Sequence, residues 1–102
     1  RQQLKLPPFT RMVQLTVRSM SESKANVFAE TLAKACRASL PRAIEVLGPA
    51  PSSIRLLRRH YRWQVILKSP TLSAVQQPLA QLLQKVRAPK ACYLAVNVDP
   101  TN

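Results

Sequence analysis

Residues 61–86, YRWQVILKSPTLSAVQQPLAQLLQKV, decide the fold because the spacing of their apolar residues changes part of the way along. Up to Lys68, apolar and polar residues alternate, which predicts a half-buried strand. After Ser69-Pro70, which offers a cap and a first-turn proline, leucine and valine residues recur at helical spacing. We therefore predict a strand that leads directly into a helix, with a kink or a restart of that helix at Pro78.

The first half of the chain has the same succession of a strand and a helix. Residues 10–18 alternate and predict the first strand, and Ser19 begins a capping-box pattern ahead of an apolar helical stripe that Pro41 ends. Residues 43–47 predict a short second strand. The following residues, 48–60, are rich in proline and arginine, and we interpret them as a basic connection.

A last alternating segment, residues 91–99, predicts a fourth strand. Its inward side chains would be Cys92, Leu94, Val96 and Val98. The resulting order, β-α-β-β-α-β, is the ferredoxin-like pattern, an α+β fold in which two helices pack on one face of a four-stranded antiparallel sheet. We predict one domain over residues 10–102, preceded by an N-terminal linker over residues 1–9, which Pro7-Pro8 holds extended.

Positive charge dominates the composition. Sixteen lysines and arginines against four acidic residues give a formal net charge of +12, which folding does not require and which favours a polyanionic partner such as nucleic acid. An acidic membrane surface is the weaker alternative, because no apolar run approaches the ~20 residues of a spanning helix. The charge is densest in a cluster of arginines, namely Arg55, Arg58, Arg59 and Arg62. Few acids are present to neutralise them, so we expect phosphate contacts rather than a merely solvated loop.

Successive side chains of a strand point to opposite faces of the sheet, and this alternation predicts which of them share the open face, the one that the helices do not cover. They are Arg18, Arg62, Gln64, Lys68, Tyr93 and Asn97. Trp63 has the opposite parity, in register with Val65, so we expect it in the core, whereas Tyr93 is either a stacking platform for bases or a plain exposed tyrosine. The candidate DNA-binding residues are Arg18, Arg55, Arg58, Arg59, Arg62, Gln64, Lys68 and Tyr93.

Catalytic chemistry is not expected in this domain. One glycine cannot form a phosphate-binding loop, and His60 and Asp99, the single histidine and the single aspartate, have no local partners for a nucleophilic triad. Cys36 and Cys92 lack the close paired spacing of a zinc site, and we expect both to be core-filling free thiols. We therefore predict no cofactor and no metal here, and the lack of a disulfide framework favours the cytoplasm.

Five short motifs follow one another along nearly the whole chain. They are Leu6-Pro7-Pro8-Phe9, Leu47-Gly48-Pro49-Ala50-Pro51, Tyr61-Arg62-Trp63-Gln64, Leu67-Lys68-Ser69-Pro70 and Asn97-Val98-Asp99-Pro100. Each motif alone is weak, but their order and spacing are specific. Through them the chain resembles the C-terminal domain of the primosomal replication-restart DNA helicases, the primosomal protein N′ family. Leu6 stands where the family usually has an aromatic residue.

The resemblance implies a fragment of a larger bacterial enzyme. Its parent would be an ATP-dependent DNA helicase that moves 3′ to 5′, with ATP, magnesium and zinc bound upstream of this domain. The last domain of the family has a fold similar to a small ribosomal-subunit protein. The implied partners are single-stranded and forked DNA, the chain's own helicase core, single-stranded DNA-binding protein and other primosome proteins.

One family feature is only half present. Members that dock the acidic tail of single-stranded DNA-binding protein use an arginine and a glutamine four residues apart early in the second helix, and these positions are Leu72 and Gln76 here. Gln76 is therefore a candidate partner-binding residue without its arginine. Two alternative functions remain open: a docking domain that packs on its own motor with little DNA contact, and a ribosomal-type RNA-binding module.

Overall fold

The computed structural model describes residues 11–57 and 59–98, and the side chains of residues 53–57 are outside this description. Its elements are β1 (Arg11–Ser19), α1 (Glu22–Ser39), β2 (Glu45–Leu57), β3 (His60–Ser69), α2 (Leu72–Lys85) and β4 (Cys92–Val98). Their order confirms the predicted β-α-β-β-α-β succession. The predicted N-terminal linker, residues 1–9, lies outside the described residues.

The four strands form one antiparallel sheet in the order β2-β3-β1-β4, which confirms the ferredoxin-like α+β fold. β1 pairs with both β3 and β4, so that Val17 lies opposite Trp63 on one side and Leu94 on the other. The inward side chains of β1 and β3 form one core with both helices, in which Leu15 and Leu32 are fully buried. The helices therefore cover one face of the sheet, and polar side chains of the central strands lie on the other.

A buried serine ends β1, and it does not cap the helix that follows. Ser19 Oγ accepts a hydrogen bond from the Ser21 N–H at 3.1 Å, inside the junction between β1 and α1. The N-cap of α1 is Ser21, whose Oγ accepts from the Lys24 N–H at 3.3 Å. The predicted cap at Ser19 is wrong, because the strand continues through this residue and uses its hydroxyl to shape the turn.

The start of α2 has the same arrangement. Ser69 is buried at the end of β3 and donates from Oγ to the Thr71 carbonyl oxygen at 2.6 Å. Thr71 is the N-cap, and its Oγ1 accepts from the Ala74 N–H at 3.2 Å, so the predicted cap at Ser69 is also wrong. α2 continues through Pro78 as one helix, so the predicted restart is wrong, while the alternative of a kink stays a prediction. Val75 and Leu79 are buried in the core on either side of that residue.

β2 is much longer than the sequence indicated. Residues 48–57, predicted as a connection, continue the strand and pair with β3, with register shifts after Leu47 and after Pro51. Proline is tolerated here because β2 is an edge strand, and its outer side pairs with no other strand of this sheet. Gly48 has a φ of +104°, and a Cβ there would lie 2.8 Å from the Gln64 carbonyl oxygen, so the first register shift requires glycine.

β4 is the other edge strand, and it is buried only at its start. Cys92 is buried as predicted and Leu94 is half-buried, but Val96 and Val98 are 42% and 52% exposed. The prediction that both valines lie in the core is therefore wrong. Parity places them on the helix-facing side, but at this edge of the sheet the helices do not cover the end of the strand.

Both cysteines are buried free thiols, as predicted. Cys36 lies on the core face of α1, and burial raises the pKa of its thiol to about 11, with the neighbouring Arg37 acting weakly in the opposite direction. A thiol with such a pKa is almost fully protonated at neutral pH. It is therefore a packing group rather than a nucleophile.

We expect the free energy of unfolding to fall as the pH rises from 9 to 11, because the Cys36 thiol ionises near 9.0 in the unfolded chain and near 11 in the folded one. The loss should amount to about 1–3 kcal/mol. Urea unfolding across this pH range would measure it. Cys36→Ala, which keeps every other alkaline group, should show a shallower decline, and an identical decline would contradict this assignment.

Trp63 lies on the inward face of β3, as its parity predicted. The side chain is half-buried and packs against the core, opposite Val17 and Pro51. Its indole Nε1 is buried without an acceptor among the described residues. The ring therefore contributes through apolar contact rather than through a hydrogen bond.

Trp63→Ala should destabilise the chain by about 2–4 kcal/mol, somewhat less than a fully buried aromatic residue would. Trp63→Phe, which keeps most of the apolar contact and removes an indole N–H with no described acceptor, should cost less than half as much. Urea unfolding followed by far-UV circular dichroism suits both variants, because each lacks the chain's single tryptophan. Equal losses would show that the indole nitrogen, not the ring surface, matters.

Candidate nucleic-acid interface

The open face of the sheet has a cationic and aromatic end. Arg18 of β1 lies opposite Arg62 of β3 on one side and opposite Tyr93 of β4 on the other, so these side chains form one row across three strands. The Arg18 guanidinium carbon lies 4.5 Å from the centroid of the Tyr93 ring, within the range of a cation–π contact. The strand register therefore brings together three of the residues that the sequence singled out.

His60 joins this row, and the sequence reasoning missed it. Its ring makes an edge-to-face contact with Tyr93, with the centroids 6.1 Å apart and the planes at 71°. His60 was assigned to a connection, but it begins β3 and has the same parity as Arg62. Extending the alternation of β3 backwards by one residue would have identified it. We call His60, Arg62, Arg18 and Tyr93 the aromatic–arginine row.

Polar side chains lie beside the aromatic–arginine row on the open face. Gln14 Nε2 donates to Gln64 Oε1 at 2.9 Å and lies 3.4 Å from Thr16 Oγ1. Gln64 and Thr16 are cross-strand partners. Because the Gln64 oxygen is engaged, its amide nitrogen is the group that remains to donate to a ligand. The predicted face residue Asn97 lies opposite Gln14 and is exposed.

Lys68 lies on the same face but away from the aromatic–arginine row. It lies six positions along β3 from Arg62, a distance of about 20 Å along an extended strand. Its neighbour on β2 is Glu45, the cross-strand partner in the register. An opposite charge at that position reduces the local positive field, so Lys68 is not part of the same cluster.

Two other arginines of the predicted cluster, Arg55 and Arg59, lie in different elements rather than together on one loop. Arg55 falls within β2, although its side chain is outside the description, and Arg58 lies outside the described residues altogether. Arg59 is exposed in the turn between β2 and β3, with a φ of +68°. Most of the segment predicted as a basic loop is thus a long edge strand that ends at Leu57, because its backbone pairing with β3 resumes beyond the prolines.

The described acidic residues lie on α1 and at the start of β2. Within residues 11–57 and 59–98, Glu22 and Glu30 lie on α1, on the helical side of the sheet, and Glu45 lies at the far end of the open face. Guanidinium groups are suited to phosphate oxygens, and the Tyr93 ring, 51% exposed, is suited to an unpaired base. This end of the face therefore presents groups suited to both the backbone and the bases of a nucleic-acid strand.

Other kinds of site receive no support from the part of the chain that is described. Residues 11–57 and 59–98 contain no group of three or more His, Cys, Asp or Glu side chains placed to hold a metal ion. No helix among them is long and apolar enough to cross a membrane. The candidate partner-binding residue Gln76 is exposed on α2, and Leu72, which replaces the family arginine, is half-buried.

Comparison with known proteins identifies the family. A family model described as the primosomal protein N C-terminal domain matches residues 2–101. The replication restart protein PriA of Synechocystis sp. is 34% identical over 98% of this chain, and that of Treponema pallidum is 34% identical over 100% of it. The chain spans only 12% and 16% of the length of these two relatives.

A solved structure with a related fold supports the architecture alone. The de novo designed protein Foldit4 superposes with a TM-score of 0.64, covering 90% of this chain and 98% of its own, at 11% sequence identity. Fold likeness at so low an identity carries no functional information. The family match and the two relatives agree with the resemblance found in the sequence motifs, and the chain belongs to the primosomal protein N C-terminal domain family of replication restart proteins.

Proposed function

We propose that this domain binds single-stranded and forked DNA through the open face of its sheet. The observation that carries this proposal is the aromatic–arginine row, in which two arginines, a histidine and an exposed tyrosine lie together on the open face. Arg18 and Arg62 are partners in the strand register, and like charges at such positions destabilise a sheet. A bound phosphate would turn this repulsion into attraction.

The members of the row would contact different parts of the DNA. Arg62 and Arg18 would contact phosphate oxygens, and Tyr93 would stack on a base with the ring surface that Arg18 leaves free. The contact with Tyr93 holds the Arg18 guanidinium in place before a ligand arrives, which lowers the entropic cost of binding. Phosphate contacts and stacking do not depend on base identity, so we expect little sequence preference.

The parent protein would be a bacterial ATP-dependent 3′–5′ DNA helicase that acts in the cytoplasm during replication restart. ATP, magnesium and zinc would be bound by the rest of that protein. This chain does not fit those groups, since it has one glycine, no P-loop motif and two cysteines far apart in sequence. The domain's role would therefore be to bind and position DNA, not to catalyse.

The proposed protein partners are the helicase core of the same chain, single-stranded DNA-binding protein and other primosome proteins. Gln76 is exposed on α2 and would offer the amide half of the family contact with the acidic tail. Leu72 cannot replace the charge of the missing arginine. We expect that contact to be weak here unless another cation supplies the charge.

Docking on the rest of the parent protein is a second candidate function. The exposed valines Val96 and Val98, on edge strand β4, support it, because apolar side chains on an unpaired edge favour burial against another surface. The two functions use different parts of the domain. If docking were the only function, the isolated chain would bind DNA weakly and with a flat salt dependence, and stronger binding to an RNA strand would favour the ribosomal-type alternative.

The isolated chain should bind single-stranded and forked oligonucleotides with an affinity that falls steeply as salt rises. Replacing Arg18 and Arg62 together with glutamine should lower the slope of log Kd against log salt by about 1–1.5 units, since each phosphate contact to a single strand contributes ~0.7. Fluorescence anisotropy at several salt concentrations would measure the slope. Duplex and RNA strands of the same length complete the comparison.

The matched control for this pair replaces Lys34 and Arg42 together with glutamine. Lys34 is exposed on α1 and Arg42 is exposed between α1 and β2, and the pair removes the same charge. The control should leave the slope almost unchanged. If both pairs lower the slope equally, the net charge of the chain drives binding and the open face is not a site.

Tyr93→Ala should keep the fold, because the ring is 51% exposed, and should weaken single-strand binding by about 1–3 kcal/mol. Tyr93→Phe retains a stacking surface and should bind nearly as well as the parent chain. Thermal unfolding and single-strand titrations of both variants separate stability from affinity. Equal losses of affinity for the two variants would show that the hydroxyl group, and not the ring, contacts DNA.

A further inference from the structure

A groove lies on the helical side of the domain, remote from the open face. It runs between the first half of α1 and the segment that leaves α2, and its volume is about 720 Å³. We call it the helix groove. Its lining residues are Ser23, Lys24, Val27, Phe28, Thr31, Lys85, Val86, Arg87, Pro89 and Lys90.

The middle of the groove is apolar. Phe28, only 4% exposed, belongs to the core below it, while Val27 is 60% exposed on α1. Val86, the C-cap of α2, and Pro89 face them from the other side. A valine left exposed beside further apolar groups forms a surface that gains free energy when a ligand covers it.

The charged side chains that line the groove, which we call its basic rim, are all cations. Four of its ten lining residues are cations and none is acidic. Lys24 stands on the α1 side, and Lys85, Arg87 and Lys90 stand on the other side. A concave site with apolar walls focuses the field of such charges and attracts an anionic ligand.

We propose that the helix groove binds an acidic polypeptide segment, through carboxylates on the basic rim and one or two apolar side chains in the middle. A volume of 720 Å³ falls in the usual range for ligand sites, about 300–1,000 Å³, which accommodates a few residues of a peptide. The groove is a different surface from the start of α2, since Lys85 lies nine residues beyond Gln76, about 13 Å along the helix axis.

The chemistry of the groove favours a polypeptide over a nucleic acid. A nucleic-acid strand needs cations for its phosphates and flat aromatic rings for its bases, and the one aromatic ring that lines this groove is the nearly buried Phe28. Aliphatic walls such as Val27 and Val86 offer no stacking surface. They suit the branched side chains of a peptide, whose carboxylates can reach the surrounding cations.

The probe is a fluorescein-labelled synthetic peptide in which aspartates flank a pair of leucines, titrated with the chain and followed by fluorescence anisotropy. A second peptide has asparagine at every aspartate, and a third has serine at both leucines. The groove requires both features, so only the first peptide should bind well, and its affinity should fall as salt rises. Failure of the first peptide to bind, or equal binding of all three, overturns the proposal.

The groove variants locate the binding. Lys85→Gln with Arg87→Gln should weaken binding of the first peptide roughly tenfold, since each exposed ion pair contributes about a two- to fivefold change. Val27→Ser, at a largely exposed position that should not affect folding, should weaken it about two- to fivefold. Lys34→Gln with Arg42→Gln removes the same charge outside the groove and should leave the affinity unchanged.

Two further comparisons separate this proposal from DNA binding. The Arg18→Gln and Arg62→Gln pair should retain the peptide, because those residues lie on the open face. The Lys85→Gln and Arg87→Gln pair should retain a labelled single-stranded oligonucleotide. If the groove pair instead loses the oligonucleotide and keeps the peptide, the groove is a nucleic-acid surface and the proposal fails, whatever the open face does.

Discussion

The pairing of β1 with β3 is the constraint on which the rest of the structure depends. Its register places Val17 opposite Trp63 and Leu15 opposite Val65 on the inward face. Because side chains alternate along a strand, the same register places Arg18 on the open face. A slip by one residue would expose the core and bury guanidinium groups at a cost of several kcal/mol. Packing on one face therefore holds the cations in position on the other.

The open face concentrates positive charge where the fold gains nothing from it. Arg18 and Arg62 are like charges at partner positions of β1 and β3, while Glu22 and Glu30 belong to α1. Exposure to solvent, screening by salt and the Tyr93 ring beside Arg18 reduce the penalty. An arrangement that costs stability without a packing role is the pattern expected of a binding surface.

Two charged surfaces point away from each other in this small domain. The aromatic–arginine row lies on the open face, and the helix groove lies among the helices that cover the opposite face. Each combines cations with the other group its proposed ligand needs, an exposed aromatic ring for bases or aliphatic walls for a peptide. Separate surfaces would allow a domain that is a small part of its relatives to hold DNA and a polypeptide at the same time.

The sequence by itself determined the order of the elements and the inward position of Trp63. It also placed Arg18, Arg62 and Tyr93 on one shared face. Alternation and helical spacing are local properties of the chain, so these features could be read from it directly. Only the tertiary structure decided that residues 48–57 form an edge strand, that His60 meets Tyr93 and that the end of β4 is left uncovered. These features depend on how segments far apart in sequence pair with and cover one another. No local pattern specifies which strand pairs with which, or how much of a strand a helix covers.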